Sequence, residues 1–103
     1  MSEGLGTTFR FNTLKRRAHY MFEKAGQIYG QMGEIQSKHL FTSEAAYAYN
    51  HAANLAECNL KDFVLAIKNY TLAGNYSLGN SNDFSFSNYS SAFVLYFESV
   101  ILL

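Results

Sequence analysis

Proline and tryptophan are absent from this chain of 103 residues, and cysteine occurs once, as Cys58. Without proline the strongest helix breaker is missing, so punctuation has to come from Gly, Asn and Ser. A lone cysteine excludes an internal disulfide and fits a reducing compartment. Net charge is missing as well. Eight Lys and Arg balance eight Asp and Glu, so no global field argues for nucleic acid. No window reaches the length of a membrane span, because the apolar run Ala92–Leu103 is too short and holds Glu98. The segment Met1 to Asn12 lacks the apolar core of a secretory signal. Asn69-Tyr70-Thr71, Asn75-Tyr76-Ser77 and Asn88-Tyr89-Ser90 match the glycosylation pattern, but with no secretory leader they read as chance matches. The expected location is cytoplasmic.

What is present suits a packed helical domain. Apolar residues make up 49% of the chain and aromatics 17%, which is not the composition of a disordered segment. A single domain of this length buries a smaller share of its surface than a large one. Charge is unevenly spread: Arg10, Lys15, Arg16, Arg17 and Lys24 face only Glu23 in their stretch. Such a basic run is more often a solvated face than a binding site.

Apolar spacing is helical along most of the chain. A first helix is expected from about Thr13 to Met32, with Leu14, Ala18, Met21, Phe22, Ala25, Ile28 and Met32 as its apolar positions. Asn12 or Thr13 would cap its start, and Gly30 or Gly33 would end it. The preceding residues 1–12 read as a flexible N-terminal segment, and 13–103 as one helical repeat domain. A second helix spans Ser43 to about Glu57, with Ala45, Ala46, Tyr49, Ala52, Ala53 and Ala56 on one face; so much alanine lets a neighbouring helix come close. Asn59 reads as the cap of a third helix carrying Leu60, Phe63, Ile67 and Tyr70, with Asp62 in its first turn and its end between Gly74 and Gly79. The short connection makes helices two and three antiparallel. Leu78 to Asn88 reads as a loop. A fourth helix follows from Tyr89, apolar on nearly all sides and therefore expected to be buried on most faces, although its Phe, Val, Ile and Tyr also suit a buried strand. The sequence stops on apolar residues without the polar cap that repeat arrays carry, which reads as an incomplete array or a surface that a partner covers.

One constellation recurs: a small residue, an aromatic four positions on, and a small residue three beyond. It appears as Ala18/Phe22/Ala25, Ala45/Tyr49/Ala52, Ala66/Tyr70/Ala73 and, more loosely, Ala92/Tyr96/Ser99. This spacing puts the three on one helical face, where the aromatic fills the gap between stacked helices that the small residues bring close. Phe22-Glu23-Lys24-Ala25-Gly26 and Tyr70-Thr71-Leu72-Ala73-Gly74 repeat it in longer form. The expected fold is all-α: antiparallel helix pairs in a tetratricopeptide-like, right-handed repeat array of about four helices.

Catalytic constellations do not assemble from the sequence. Ser43, His51 and Asp62 supply triad residue types without the strand-turn-helix that presents a nucleophilic serine. His51 and Cys58 lie two helical turns apart without a second pair to complete a zinc site. His19 and His39 read as surface residues, and Gly4 and Gly6 precede no phosphate-binding lysine motif. The expectation is a non-enzymatic chain with no cofactor and no metal.

The stretches Phe22-Glu23-Lys24-Ala25-Gly26-Gln27-Ile28-Tyr29, Gln36-Ser37-Lys38-His39, Glu44-Ala45-Ala46-Tyr47-Ala48-Tyr49-Asn50-His51-Ala52-Ala53-Asn54 and Ala66-Ile67-Lys68-Asn69-Tyr70-Thr71-Leu72-Ala73-Gly74 resemble, in that order, the soluble NSF attachment proteins. The resemblance runs from Ala18 to Tyr76. It implies a curved sheet of antiparallel helix pairs that coats the SNARE bundle through a charged face and recruits the NSF ATPase in vesicle fusion and intracellular protein transport. SNARE surfaces are acidic in many places, so the implied contacts are basic: Lys15, Arg16, Arg17, Lys38, Lys61 and Lys68. The family's membrane-touching N-terminal loop would correspond to Leu5, Phe9 and Phe11, although a hydrophobic staple for the first helix also explains Phe11. Leu40, Phe41, Thr42 and Ser43 are extra relative to the family's spacing, and its C-terminal helical bundle has no counterpart here.

Two other readings follow from the residues. The apolar Ala92–Leu103 segment could drive self-association without a trafficking role. Alternatively, the Arg10–Arg17 cluster could meet anionic lipid, with Phe9 and Phe11 entering the interface as a peripheral membrane module.

Overall fold

The computed structural model describes residues 2–36, 39–78 and 85–101, with side chains over 10–35, 40–78 and 85–98. Within them the chain is all-helical. Helix α1 spans Ser2–Gln36, α2 spans His39–Asn54 and runs on as a π-helical turn over Leu55–Leu60, α3 spans Phe63–Ser77, and α4 spans Ser85–Ile101. No strand occurs among the described residues.

Helix α1 starts at Ser2, not at Thr13, and so runs through the residues read as a flexible segment. Nothing there breaks a helix. Gly4 and Gly6 each cost about 1 kcal/mol relative to alanine, which weakens a helix without ending it. Gly30 and Gly33 do not terminate it either; both are buried inside it. Phe11 consequently sits within the helix, and a staple at the helix start no longer accounts for it.

The connection from α2 to α3 also differs from the expected one. Asn59 caps nothing; it lies in the π-helical turn. Lys61 ends that turn in the left-handed region at φ 55, with its N–H bonded to the Ala56 carbonyl, and Asp62 N–H reaches the same oxygen at 2.9 Å. Asp62 is the true cap: its backbone is extended and its carboxylate accepts from Leu65 N–H at 3.1 Å. A carboxylate is favoured there by the positive end of the helix dipole. Helix α4 likewise begins earlier than expected, at Ser85, so only residues 79–84 of the expected loop fall outside the described residues.

Contacts between helices fix their directions. Tyr29 stacks on Phe41 at 6.4 Å and Phe22 lies 5.1 Å from His51, so residue numbers fall along α1 as they rise along α2. These two are antiparallel. His19 bonds Asn69 and Tyr76 bonds Glu34, which sets α3 parallel to α1. The helices thus alternate in direction along a row, with α2 against α1 and α3, and α4 against α3. The body is elongated, 53 × 32 × 17 Å.

The centre of the row is built from small residues. Ala45, Ala46, Ala52, Ala53, Ala56, Ala66 and Ala73 have no exposed surface, and the large side chains inside are mainly Tyr49, Tyr70 and Leu95. The recurring triplet is therefore buried on α2 and α3. It fails on the outer helices: Ala18, Ala25 and Phe22 are partly open, and Tyr96 is exposed.

Close approach is possible where the sequence has glycine. A Cβ added at Gly26 would lie 2.8 Å from the Tyr49 ring, and one at Gly74 would lie 2.6 Å from the Tyr89 ring. The two Ala-Gly segments that repeat in the sequence therefore play the same part, each seating a tyrosine of the following helix.

Candidate interaction surfaces

Polar side chains, not apolar ones, tie the helices together at depth. His19, expected at the surface, is buried; its Nε2 lies 2.8 Å from Asn69 Oδ1, and its Nδ1 lies 3.8 Å from Glu23 Oε1. Asn69 Nδ2 donates to Glu23 Oε2 at 2.9 Å, so one Asn is satisfied on both amide atoms by α1. A second ladder joins α4 to α2 and α3. Asn50 Nδ2 donates to Asn88 Oδ1 at 2.7 Å, Asn54 Nδ2 to Asn50 Oδ1 at 3.1 Å, and Tyr70 OH lies within bonding distance of both Asn54 Oδ1 and Glu57 Oε1. No buried side-chain N or O atom among the described residues lacks a partner. Burial, followed by the neighbouring Glu57, pushes the Tyr70 hydroxyl well above its ordinary value. Tyr49 and Tyr76 are raised in the same way, chiefly by burial and then by Glu23 and Glu34 respectively. These tyrosines stay protonated donors at neutral pH.

The basic residues do not gather on one face. Arg16 and Arg17 are exposed on α1, while Lys15 is half-buried on its flank. Lys61 occupies the turn before α3, where its backbone conformation has a structural part of its own. Lys38 lies outside the described residues. Lys68 is exposed on α3 and shares a groove of about 260 Å³ with Lys24 of α1, Tyr49 of α2, and Tyr20, Glu23 and Gln27. Lys24 is thus a groove residue that charge alone did not single out. Arg10 and Arg17 meet around a shallower hollow of about 290 Å³ with Thr13 and Leu14. Of the candidate lipid-contact residues, Phe11 is exposed on α1, and Leu5 and Phe9 belong to that helix with side chains outside the described set.

A second kind of surface was less legible. Helix α4 was expected to be buried on most faces, yet among its described side chains only Ser85, Asn88, Ala92 and Leu95 are. Phe86, at 83% exposure, Phe93, Val94 and Phe97 stand open on the opposite side. Phe93 and Phe97 stack with centroids 6.1 Å apart. Beside them lies a hollow of about 470 Å³ lined by Phe86, Val94, Leu95, Glu57 and Glu98. On α1, Leu14, Met21, Ile28 and Ile35 are also exposed. Their signal in the sequence is a strict interval of seven residues, with Arg10, Arg17 and Lys24 repeating at the same interval between them. Among the described residues no three His, Cys, Asp or Glu side chains come together as a metal cage, and no helix is long and apolar enough to cross a membrane.

No protein-family model, curated protein or solved structure matches this chain.

Proposed function

We propose that this chain is a non-catalytic adaptor resembling the soluble NSF attachment proteins, which binds assembled SNARE complexes and links them to an NSF-type ATPase in vesicle fusion and intracellular protein transport. The observation that carries this reading is the groove shared by α1, α2 and α3, to which Lys24 and Lys68 bring positive charge from two parallel helices. A rod of acidic helices laid against it would meet cations from both. The resembling stretches Phe22–Tyr29 and Ala66–Gly74 supply most of the groove's lining, so sequence likeness and geometry coincide there. Arg16 and Arg17 extend the positive charge along α1, and Phe11 offers an apolar contact to a membrane surface beside the fusion site. The working location is the cytoplasmic face of membranes.

The test is retention of the purified chain on an assembled SNARE bundle and on its separate helices, at low and moderate salt. Salt-sensitive retention on the assembled bundle is expected, and replacing Lys24 and Lys68 together by Glu should weaken it roughly tenfold or more. Equal retention on single helices, or indifference to the charge reversal, would remove the SNARE reading. A second reading, a self-associating repeat scaffold without a trafficking role, has its own support in the exposed aromatic face of α4.

A further inference from the structure

The two outermost faces of the row complement each other. On α1, the side turned away from α2 and α3 carries Leu14, Met21, Ile28 and Ile35 at seven-residue intervals, all exposed, with Arg10 and Arg17 beside Leu14. A helix presenting such a stripe offers one continuous seam to another helix. On α4, the side opposite the buried Asn88, Ala92 and Leu95 carries Phe86, Phe93, Val94 and Phe97. Positions i, i+7, i+8 and i+11 fall on one face of a helix.

The charges at the two ends are opposite. Past Lys68 the chain has no Lys or Arg at all, and Glu57 and Glu98 line the hollow beside the α4 aromatics without a cation. The α1 stripe, by contrast, has Arg10 and Arg17 around Leu14. Among the described residues no element covers either face, whereas each inner helix is covered on two sides. Exposed apolar surface of this extent, rimmed by charge, marks an interaction site on a folded protein.

We propose that copies of this chain associate head to tail, the outer face of α4 on one copy seating on the outer face of α1 of the next. The aromatic residues of α4 enter the gaps between Leu14, Met21 and Ile28, and the carboxylates of Glu57 and Glu98 face Arg10 and Arg17. The contact continues the helix row from one molecule into another. Because the two patches are different, the interface is heterologous: an open row of copies keeps a free face of each kind, so growth runs past a dimer to a closed ring or an extended row. This inference is independent of the SNARE reading and is tested without any SNARE protein.

Sedimentation velocity over a concentration series reads the outcome. The wild-type chain should gain mass with concentration beyond that of a dimer, and the gain should shrink at high salt as the charges are screened. Met21→Asp removes the α1 face and Phe93→Asp removes the α4 face; both residues are exposed, and circular dichroism confirms that each variant stays helical. Each variant alone should be monomeric. Mixed in equal amounts they should form a dimer and nothing larger, since one intact face of each kind remains. Replacing Arg10 and Arg17 by Glu should weaken assembly roughly tenfold at low salt. A wild-type chain that stays monomeric at its highest soluble concentration overturns the proposal. So does a dimer that Met21→Asp leaves intact, because that would be a symmetric contact between two α4 faces.

Discussion

The middle of this protein and its two ends are made of opposite materials. Between the helices the interior is alanine, glycine and hydrogen-bonded amides, with Asn69 on α3 and Asn88 on α4 essentially without exposed surface. At the ends the large apolar side chains stand outside, Phe86 and Ile35 at 83% exposure each. An ordinary small domain puts its phenylalanines in the core and its asparagines in the loops. Here close approach of helices leaves little room for large residues at the centre beyond Tyr49, Tyr70 and Leu95, and specificity falls to polar pairs that fit only one register. The large residues are displaced to faces that no described residue covers. The middle holds the helices in register while the ends carry exposed apolar surface, and mutations in the two regions should behave differently.

The largest effect is expected at Asn69. Replacing it by Leu removes the partner of His19 Nε2 and the donor to Glu23, and it leaves polar atoms buried between α1 and α3. Each buried group left unpaired costs about 1–3 kcal/mol, so Asn69→Leu should lose about 3 kcal/mol in urea unfolding despite adding apolar volume. A double-mutant cycle with His19→Leu measures the coupling. If removing both partners costs as much as the two single changes summed, the pair contributes nothing specific and the contrast between middle and ends loses its basis.

Next come the glycines. At an open helical position Gly→Ala stabilises by about 1 kcal/mol. At Gly26 and Gly74 the sign should reverse, because the new methyl meets the body of a tyrosine ring at 2.8 and 2.6 Å. Overpacking of this kind costs about 1–3 kcal/mol. Thermal unfolding of Gly26→Ala and Gly74→Ala checks the sign: a raised midpoint would mean that propensity outweighs the ring contact.

How far these arrangements could be read in advance depends on whether the determining contact is local. The alanine face of α2, the Ala66/Tyr70/Ala73 face of α3 and the repeated Ala-Gly segments were legible, since spacing along one helix decides them. Helix ends were not. Asn12, Gly30, Gly33 and Asn59 have the right chemistry for caps, yet three of them lie inside α1, and Asn59 was outcompeted by Asp62. The buried His19 was missed because its partner Asn69 comes from a different helix, and no local pattern announces that. The openness of α4 was missed for a related reason. Its residues fit a buried helix, and only the row shows that a neighbour covers one side. Of the basic residues, charge found Lys68 but could not pair it with Lys24, which requires α1 and α3 to lie parallel.

Smaller effects sit at the joint between α2 and α3. Lys61 holds a positive φ without being glycine, a conformation that costs an ordinary residue about 1 kcal/mol or more. Lys61→Gly should therefore stabilise the chain by about 0.5–1 kcal/mol, while removing one cation from the proposed partner contacts. Unfolding and SNARE retention measured on the same variant tell whether Lys61 serves the turn or the partner. Close by, Tyr70 gives the joint a pH signature. Its hydroxyl is raised from 10.0 in the folded state, so the proton is held more tightly there than in the unfolded chain. The stabilisation is complete below pH 10 and falls away as the pH rises through the folded value. Unfolding midpoints should be level across neutral pH and drop in alkali, and Tyr70→Phe should flatten that drop; Tyr49 and Tyr76 account for what remains.

The smallest change in stability is expected where the largest side chains are altered. Phe86→Ser removes an entire aromatic ring, which in a core would cost several kcal/mol. On the outer face of α4 the ring is already 83% exposed, so the folded state gives up little burial that the unfolded chain did not also lack. The expected change is within about 0.5 kcal/mol, and Ile35→Ser on the far end of α1 should match it. Both should be measured at a concentration low enough that copies do not associate, and again at a high one. A cost that appears only at the high concentration places the value of these residues between molecules. A cost of several kcal/mol at both would mean that the end faces are covered within the chain, and the division between a polar, close-fitting middle and apolar ends would have to be abandoned.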